Sequence, residues 1–227
     1  METFDPAEQT WLVVPLYNEA QVVAEDIANA RKTFPNRVSV DDGSRDDAAA
    51  QARSAGAIVV SQPLSLGQGA ALQTGITYVL TRTNARYIAT FDSDGQHSTD
   101  DVMAMVRRAH DEDLAIVLGS RFLEGTADTG TLKRIVLRTA AWVGSKTSGM
   151  KLTDAHNGLR LLRRDAAEKL DLHQNRMAHA SEIIRQLGAS GLPWAEQPVH
   201  IEYTDYSRSK GQSLWNSVNI LVDLMFS

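Results

Sequence analysis

The stretch Tyr87-Ile88-Ala89-Thr90-Phe91-Asp92-Ser93-Asp94-Gly95-Gln96-His97 sets the frame for the whole chain. An apolar run ends abruptly in two aspartates one residue apart. If the run is a strand, side chains at i and i+2 point the same way, roughly 6.5–7 Å apart along the chain. Asp92 and Asp94 then share one side of the carboxyl end of a buried strand, the edge at which open α/β sheets bind ligands. Two carboxylates packed this closely raise each other's pKa unless a cation lies near. A hard divalent cation with oxygen ligands, Mg²⁺ or Mn²⁺, suits such a pair. A solvated turn built from Asp, Ser and Gly is the competing reading, and the flanking sequence decides between them.

Working outward, the first half alternates strand and helix. Strands are expected at Trp11–Pro15, Val38–Val40, Ala57–Val60, Tyr87–Phe91 and Leu114–Leu118, with helices between them. Pro35 stops the first helix. Ser44 is expected to cap the second, with Asp47 favouring its positive end. Ser98 and Asp101 have capping-box spacing before a fourth helix. Five alternations predict an α/β fold with a doubly wound, mostly parallel sheet. The second half is less regular. A loop spans Glu124–Gly130, a basic helix runs from Leu132 to about Thr147, and strands are expected at Leu159–Leu162 and Val199–Tyr203. The chain ends in an amphipathic helix from about Ser213, with Leu214, Trp215, Val218, Leu221, Val222, Met225 and Phe226 on one face. That face suits packing on the domain, a membrane interface or a partner. The organisation expected is one domain over residues 1–227: a nucleotide-binding half (1–122), an acceptor-side half (123–212) and the last helix (213–227).

Composition narrows the classes. The 227 residues carry a net charge of −5, which argues against a general nucleic-acid binder. No run approaches the roughly 18–20 apolar residues of a membrane span. The first residues, Met1-Glu2-Thr3-Phe4-Asp5, lack the pattern of a secretory signal. With no cysteine, disulfides and thiolate metal sites are excluded, which fits a reducing cytoplasm. Charge is unevenly spread: Lys133, Arg134, Arg138, Lys146, Lys151, Arg160, Arg163 and Arg164 are opposed only by Asp154. This excess predicts an anionic partner such as a phosphate or lipid head group.

Four loops follow strand ends and open on one edge of a parallel sheet. Pro15, Tyr17 and Glu19 lie in the first. Asp41 or Asp42, in the second, suits a ribose hydroxyl or a base N–H. Gly67 and Gly69 flank Gln68 at a helix start, where backbone amides suit a phosphate. No Walker loop or complete dinucleotide fingerprint is present. The fourth loop, Asp92-Ser93-Asp94, completes the order of a nucleotide site ending in a metal–diphosphate clamp.

Val14-Pro15-Leu16-Tyr17-Asn18-Glu19, Val40-Asp41-Asp42-Gly43-Ser44, Leu66-Gly67-Gln68-Gly69-Ala70-Ala71, Phe91–His97 and Gly119-Ser120-Arg121-Phe122 together resemble the family-2 glycosyltransferases of the A-type fold. Asp154 with Asn157-Gly158-Leu159-Arg160, and Lys210-Gly211-Gln212-Ser213, are similar to the branch containing dolichyl-phosphate mannose synthase and bacterial polyprenyl-phosphate sugar transferases. The match runs nearly the whole chain in order. Gln68 stands where members often carry lysine, and, unlike several members, the chain is not expected to carry membrane spans after the catalytic domain.

The resemblance implies inverting transfer of a hexose from a UDP- or GDP-sugar. Asp92, Asp94 and Gln96 would hold Mg²⁺ or Mn²⁺ against the leaving diphosphate, with Arg121 adding a fixed charge. A hydroxyl acceptor needs a base, for which Asp154, His179 and Glu182 are candidates. A lipid phosphate needs cationic docking instead, and Arg134, Arg138, Arg208 and Lys210 offer it. A polyprenyl phosphate is therefore the expected acceptor, with a hydroxyl acceptor and a non-catalytic nucleotide-sugar module as alternatives. Asp154 is also suited to orienting Arg160 or a loop amide, and His97 to coordinating or, in preference, to capping the following helix. A peripheral enzyme at the inner face of the cell membrane is expected, held by the last helix, the basic patch or a small membrane partner. A homo-oligomer is compatible with these features.

Overall fold

The computed structural model of the chain describes residues 4–123, 141, 144–146, 148–175 and 178–201. Elements follow in the order β1 (Thr10–Leu16), α1 (Val23–Thr33), β2 (Arg37–Asp41), α2 (Ala48–Ser54), β3 (Ile58–Ser61), α3 (Gln68–Arg82), β4 (Tyr87–Thr90), α4 (Thr99–Asp111), β5 (Ile116–Ser120), β6 (Arg160–Arg163), α5 (Arg164–Ala167), α6 (His179–Ala189) and β7 (Trp194–Pro198). The predicted last helix and the cations Arg134, Arg138, Arg208 and Lys210 lie outside the described residues. The basic helix expected from Leu132 is described only at 141, 144–146 and 148, where it is helical.

The described residues form one sheet of seven strands in the order β3-β2-β1-β4-β6-β5-β7. β1 pairs in parallel with both β2 and β4, so chain order reverses at β1 and opens a crevice beyond the strand ends. The register sets Leu16 of β1 level with Asp41 of β2. β5 and β7 pair in parallel, whereas β6 runs antiparallel between β4 and β5. The start of β6 therefore lies at the same edge as the ends of its two neighbours.

Alternate residues of the strands feed opposite faces, as a sheet covered on both sides requires. Val13, Val40, Ile88, Leu118 and Leu162 pack against α3 and α6 through Leu72, Ile76, Ile183 and Leu187. Leu12, Ala89, Val117 and Leu161 pack against α4 through Val102, Met105 and Val106. A third cluster joins Leu16 to α1 and α2. Gly75 lets α3 settle on the sheet, since a Cβ there would run into Val13.

The sequence reading needs three local corrections. Ser44 does not cap α2: its Oγ accepts the Asn18 N–H (3.0 Å), and the helix begins only at Ala48, whose N–H goes to Asp46 Oδ1 (3.1 Å). Ser98 does cap α4, accepting from Asp100 N–H, but Asp101 does not close a capping box because it accepts from His200 N–H instead (2.9 Å). The last described strand is Trp194–Pro198, ahead of the segment expected at Val199–Tyr203, and 199–201 are not in a strand. β7 is a half-buried sheet edge and so carries no apolar run to betray it.

β4 and β6 are clasped at the ligand edge by Thr90, whose hydroxyl donates to Gly158 C=O (2.6 Å) and accepts from Arg160 N–H (3.1 Å). Thr90→Val keeps the shape but orphans a buried N–H and a carbonyl. It should lower stability by about 1–3 kcal/mol in urea unfolding.

Candidate active site

A cleft of about 520 Å³ opens beyond the ends of β1 and β4. Pro15, Tyr17 and Glu19 line it from the β1 loop, Asp42 from the β2 loop, and Gly67 and Gln68 from the start of α3. Asp92, Ser93, Asp94 and Gln96 line it from the β4 loop. The four strand-end loops of the sequence reading therefore converge on one space. Asp41 and Gly69 are buried and are not among the residues that line it.

Each loop is tied to its neighbour. Asn18, at φ 54°, donates its N–H to Ser44 Oγ and accepts the Arg45 N–H on its side chain (2.8 Å), which joins the β1 and β2 loops. Asp41 accepts the Ser44 N–H (3.0 Å). Ser93 donates to Pro15 C=O (3.2 Å), tying β4 to β1. Buried Asp42 accepts from Leu66 N–H (2.7 Å), Gly67 N–H (2.8 Å) and Ser65 Oγ (2.9 Å).

This network changes the role of the glycines. The Gly67 amide is donated to Asp42, and the Gly69 amide to Asn175 C=O (3.0 Å). Neither follows the expectation of an amide turned to a phosphate. Gly69 is needed for close approach, because a Cβ there would collide with Gln174 C=O and His179.

Asp92 is held from three sides. Gln68 Nε2 donates to its Oδ1 (3.2 Å), so the residue standing in place of the common lysine bonds to the first aspartate. The Asp92 N–H donates to His97 Nδ1 (3.1 Å), and His97 Nε2 lies 3.6 Å from Asp92 Oδ2. Burial pushes the His97 pKa down, so it stays neutral with its proton on Nε2. His97 packs edge-on to Phe91 and does not cap α4; Ser98 does.

Asp94 is pushed up to about 6 by burial and then by the charge of Asp92, although Gln96 N–H donates to its Oδ1 (3.1 Å). Asp26, on α1, is pushed up to about 7 by burial, then by Asp94 and Asp92. Asp26 and Asp94 both line a second hollow of about 500 Å³, on the α1 side of the β4 loop. Among the described residues no group of three or more His, Cys, Asp or Glu could enclose a metal. Two carboxylates and an amide facing a cleft nonetheless fit Mg²⁺ or Mn²⁺, which fill out their shells with waters and substrate phosphates.

The candidate bases have other duties. Arg121 makes a two-pronged pair with Asp154, Nε to Oδ2 at 2.6 Å and Nη2 to Oδ1 at 2.8 Å, and also donates its backbone N–H to Oδ2 (3.2 Å). Burial alone would raise the Asp154 pKa, but Arg121 outweighs it and the net direction is down. Asp154 thus orients Arg121, not Arg160. Glu182 and His179 are buried in the first turn of α6. Glu182 accepts from His173 N–H (3.1 Å), Gln174 N–H (2.8 Å) and Gln186 Nε2 (3.3 Å), fixing the segment that receives Gly69.

Sequence reasoning missed Glu196 and Asp26. Glu196, on β7, accepts from the Thr153 and Asp154 N–H groups (2.8 and 3.1 Å) and so seats the loop carrying Asp154. Neither residue stands in a recognisable motif. A carboxylate in an edge strand, on the same face as Trp194, was the one available signal for Glu196.

The model described as Glycosyl transferase family 2 matches residues 11–171. An uncharacterized protein of Methanocaldococcus jannaschii is 34% identical over 96% of this chain and 91% of its own length. A dodecaprenyl-phosphate galacturonate synthase of Rhizobium johnstonii is 30% identical over 98% of this chain and 68% of its own. A UDP-N-acetylglucosamine–dolichyl-phosphate N-acetylglucosaminyltransferase of Methanococcus voltae is 24% identical over 95% and 94%. Among solved structures, glucosyl-3-phosphoglycerate synthase of Mycobacterium tuberculosis, with Mn²⁺, UDP and phosphoglyceric acid, superposes with a TM-score of 0.65 at 14% identity, over 95% of this chain and 77% of that one.

The raised carboxyls set a pH dependence. Between 3.8 and about 6 for Asp94, and 3.8 and about 7 for Asp26, the folded protein keeps protons that the unfolded chain releases. Metal-free stability therefore falls as pH rises through that interval. Asp26→Asn removes one charge from the crowd. It should raise Tm in chelator at pH 8, by about 2–4 °C for each kcal/mol regained, with the gain vanishing at pH 4.

Proposed function

We propose that this chain, which belongs to glycosyl transferase family 2, transfers a hexose from a UDP- or GDP-sugar to a polyprenyl phosphate with inversion, under Mg²⁺ or Mn²⁺. The observation that carries the reading is the convergence of the four strand-end loops on one cleft with Asp92 and Asp94 at its end. Relatives named for dolichyl- and dodecaprenyl-phosphate support the acceptor class. A UDP-sugar relative and a fold neighbour solved with UDP and Mn²⁺ support the donor and the cation.

In this reading the nucleoside lies between the β1 and β2 loops, beside Tyr17 and Asp42, and the diphosphate runs past Gln68 toward Asp92. A cation held by Asp92, Asp94 and Gln96 would supply Lewis-acid stabilisation of the departing diphosphate. Asp94, raised by burial and then by the charge of Asp92, gives up its proton more readily once a positive charge is near. Arg121, fixed by Asp154, presents a preorganised positive group whose position costs no reorganisation during reaction. An acceptor phosphate oxygen bonds to the sugar's anomeric carbon, the bond from that carbon to the diphosphate breaks, and its electron pair leaves with the diphosphate.

No proton has to be removed from a phosphate dianion, and this agrees with the duties of Asp154 and Glu182 in holding Arg121 and the 173–174 amides. Among the described residues no helix is long and apolar enough to cross a membrane. Contact with the lipid acceptor is assigned in this proposal to the 213–227 segment and to Arg134, Arg138, Arg208 and Lys210.

Incubation with labelled UDP- and GDP-sugars, Mn²⁺ and polyprenyl phosphate should yield an organic-extractable, mild-acid-labile product. Label confined to water-soluble glycan would overturn the acceptor. Asp94→Asn should lower turnover by about 10²–10³-fold, the scale for removing one preorganised stabilising group.

A further inference from the structure

We infer that Gln68 is a positioning residue that braces Asp92 for a divalent cation and, being neutral, makes nucleotide binding depend on that cation. The inference rests on the nucleotide-sugar and cation part of the transferase reading above and deepens it to a coupling between the two ligands.

The start of α3 puts Gln68 in position. Gln68 is the first residue of that helix, and Asp42 holds the turn before it by accepting from the Leu66 and Gly67 N–H groups. The Gly69 N–H donates to Asn175 C=O (3.0 Å), which pins the backbone on the other side of Gln68. From this fixed base the side chain reaches Asp92 and donates Nε2 to Oδ1 (3.2 Å). His97 Nε2 stands 3.6 Å from the other oxygen, Oδ2. Gly158 closes a third side, since a Cβ there would collide with the Asp92 carboxylate. A carboxylate oxygen has more than one lone-pair site, so Oδ1 can accept from an amide and still serve a cation. A hydrogen-bond partner of this kind orients a ligating carboxylate and supports its affinity for metal.

Charge decides the second half of the inference. Gln68 and Asp92 line the same cleft. Among the described residues that line it, Glu19, Asp42, Asp92 and Asp94 are acidic and none is Lys, Arg or His. Two amides at the helix start, those of Gly67 and Gly69, are already spent on Asp42 and Asn175. A diphosphate entering between these walls meets charge of its own sign at short range. With a cation on Asp92 and Asp94, the same wall attracts it. A lysine at position 68 would act oppositely on both counts. Its ammonium would pair with Asp92 in the cation's place, and it would offer the diphosphate a positive charge without metal.

The test follows Mn²⁺ binding through the spin-resonance signal of the free ion and UDP or GDP binding by calorimetry, in the parent chain, Gln68→Ala and Gln68→Lys. Gln68 is exposed, so neither substitution touches the core. In the parent, saturating Mn²⁺ should tighten the nucleotide by about 100-fold over binding in chelator, and the nucleotide should tighten Mn²⁺ by the same factor. Gln68→Ala should weaken Mn²⁺ alone by about 10-fold and leave nucleotide binding in chelator at the parental level. Gln68→Lys should weaken Mn²⁺ alone by about 10–100-fold and tighten the nucleotide in chelator by about 10-fold, a gain that a merely structural residue would not give. Nucleotide bound as tightly in chelator as with Mn²⁺ by the parent overturns the coupling and leaves the transferase reading standing. Parental Mn²⁺ affinity in both variants overturns the brace, and parental nucleotide binding in chelator by Gln68→Lys overturns the assignment of the coupling to Gln68. Should one variant fail to fold, the Mn²⁺ affinity of the other decides, and a parental value overturns the inference. If the parent binds neither UDP nor GDP, with or without Mn²⁺, the donor of the transferase reading fails. Mn²⁺ binding alone then judges Gln68, and equal affinity in parent and variants overturns its role.

Discussion

Repulsion among carboxylates at the end of β4 is the constraint around which the ligand edge is arranged. Asp92, Asp94, Glu19 and Asp26 crowd one another, and burial first, then this repulsion, pushes Asp94 up to about 6 and Asp26 up to about 7. Such a group disperses unless its members are fixed individually. Gln68 and His97 hold Asp92, the Gln96 amide holds Asp94, and Ser93 binds the β4 loop to Pro15. The crowding favours positive charge, because a bound cation would offset the repulsion among these carboxylates.

The other side of the cleft is organised by buried carboxylates that serve as anchors. Asp42 gathers the Gly-rich turn, Glu182 fixes the strip that receives Gly69, and Glu196 seats the loop of Asp154, which in turn aims Arg121. Each anchor satisfies amides that a loop would otherwise leave unpaired. Rigid loops around mobile substrates are what electrostatic preorganisation requires.

Much of this is legible in the sequence. The buried parallel strands read as apolar runs, and the aspartate pair stood out because charge follows such a run abruptly. Other features were not legible, each for a physical reason. β7 is a half-buried edge without an apolar signature. The glycines advertised open amides, whereas Gly67 and Gly69 spend theirs on Asp42 and Asn175. Asp154 and Glu182 looked like bases because a carboxylate's residue type does not reveal its hydrogen-bond partners.

The sequence by itself determined the alternation of strand and helix, the loops that meet at one edge, and the placing of Asp92 and Asp94 at a strand end. These follow from local periodicity and from the fixed hand of strand–helix–strand crossovers. Only the tertiary structure decided which polar groups are consumed in holding that edge together and which remain for a ligand. It joined Arg121 to Asp154 across 33 residues and Gln68 to Asp92 across 24, and it brought the start of β6 to the ligand edge by running that strand against its neighbours. Hydrogen-bond pairing between distant segments depends on where the chain returns, and no local pattern encodes that.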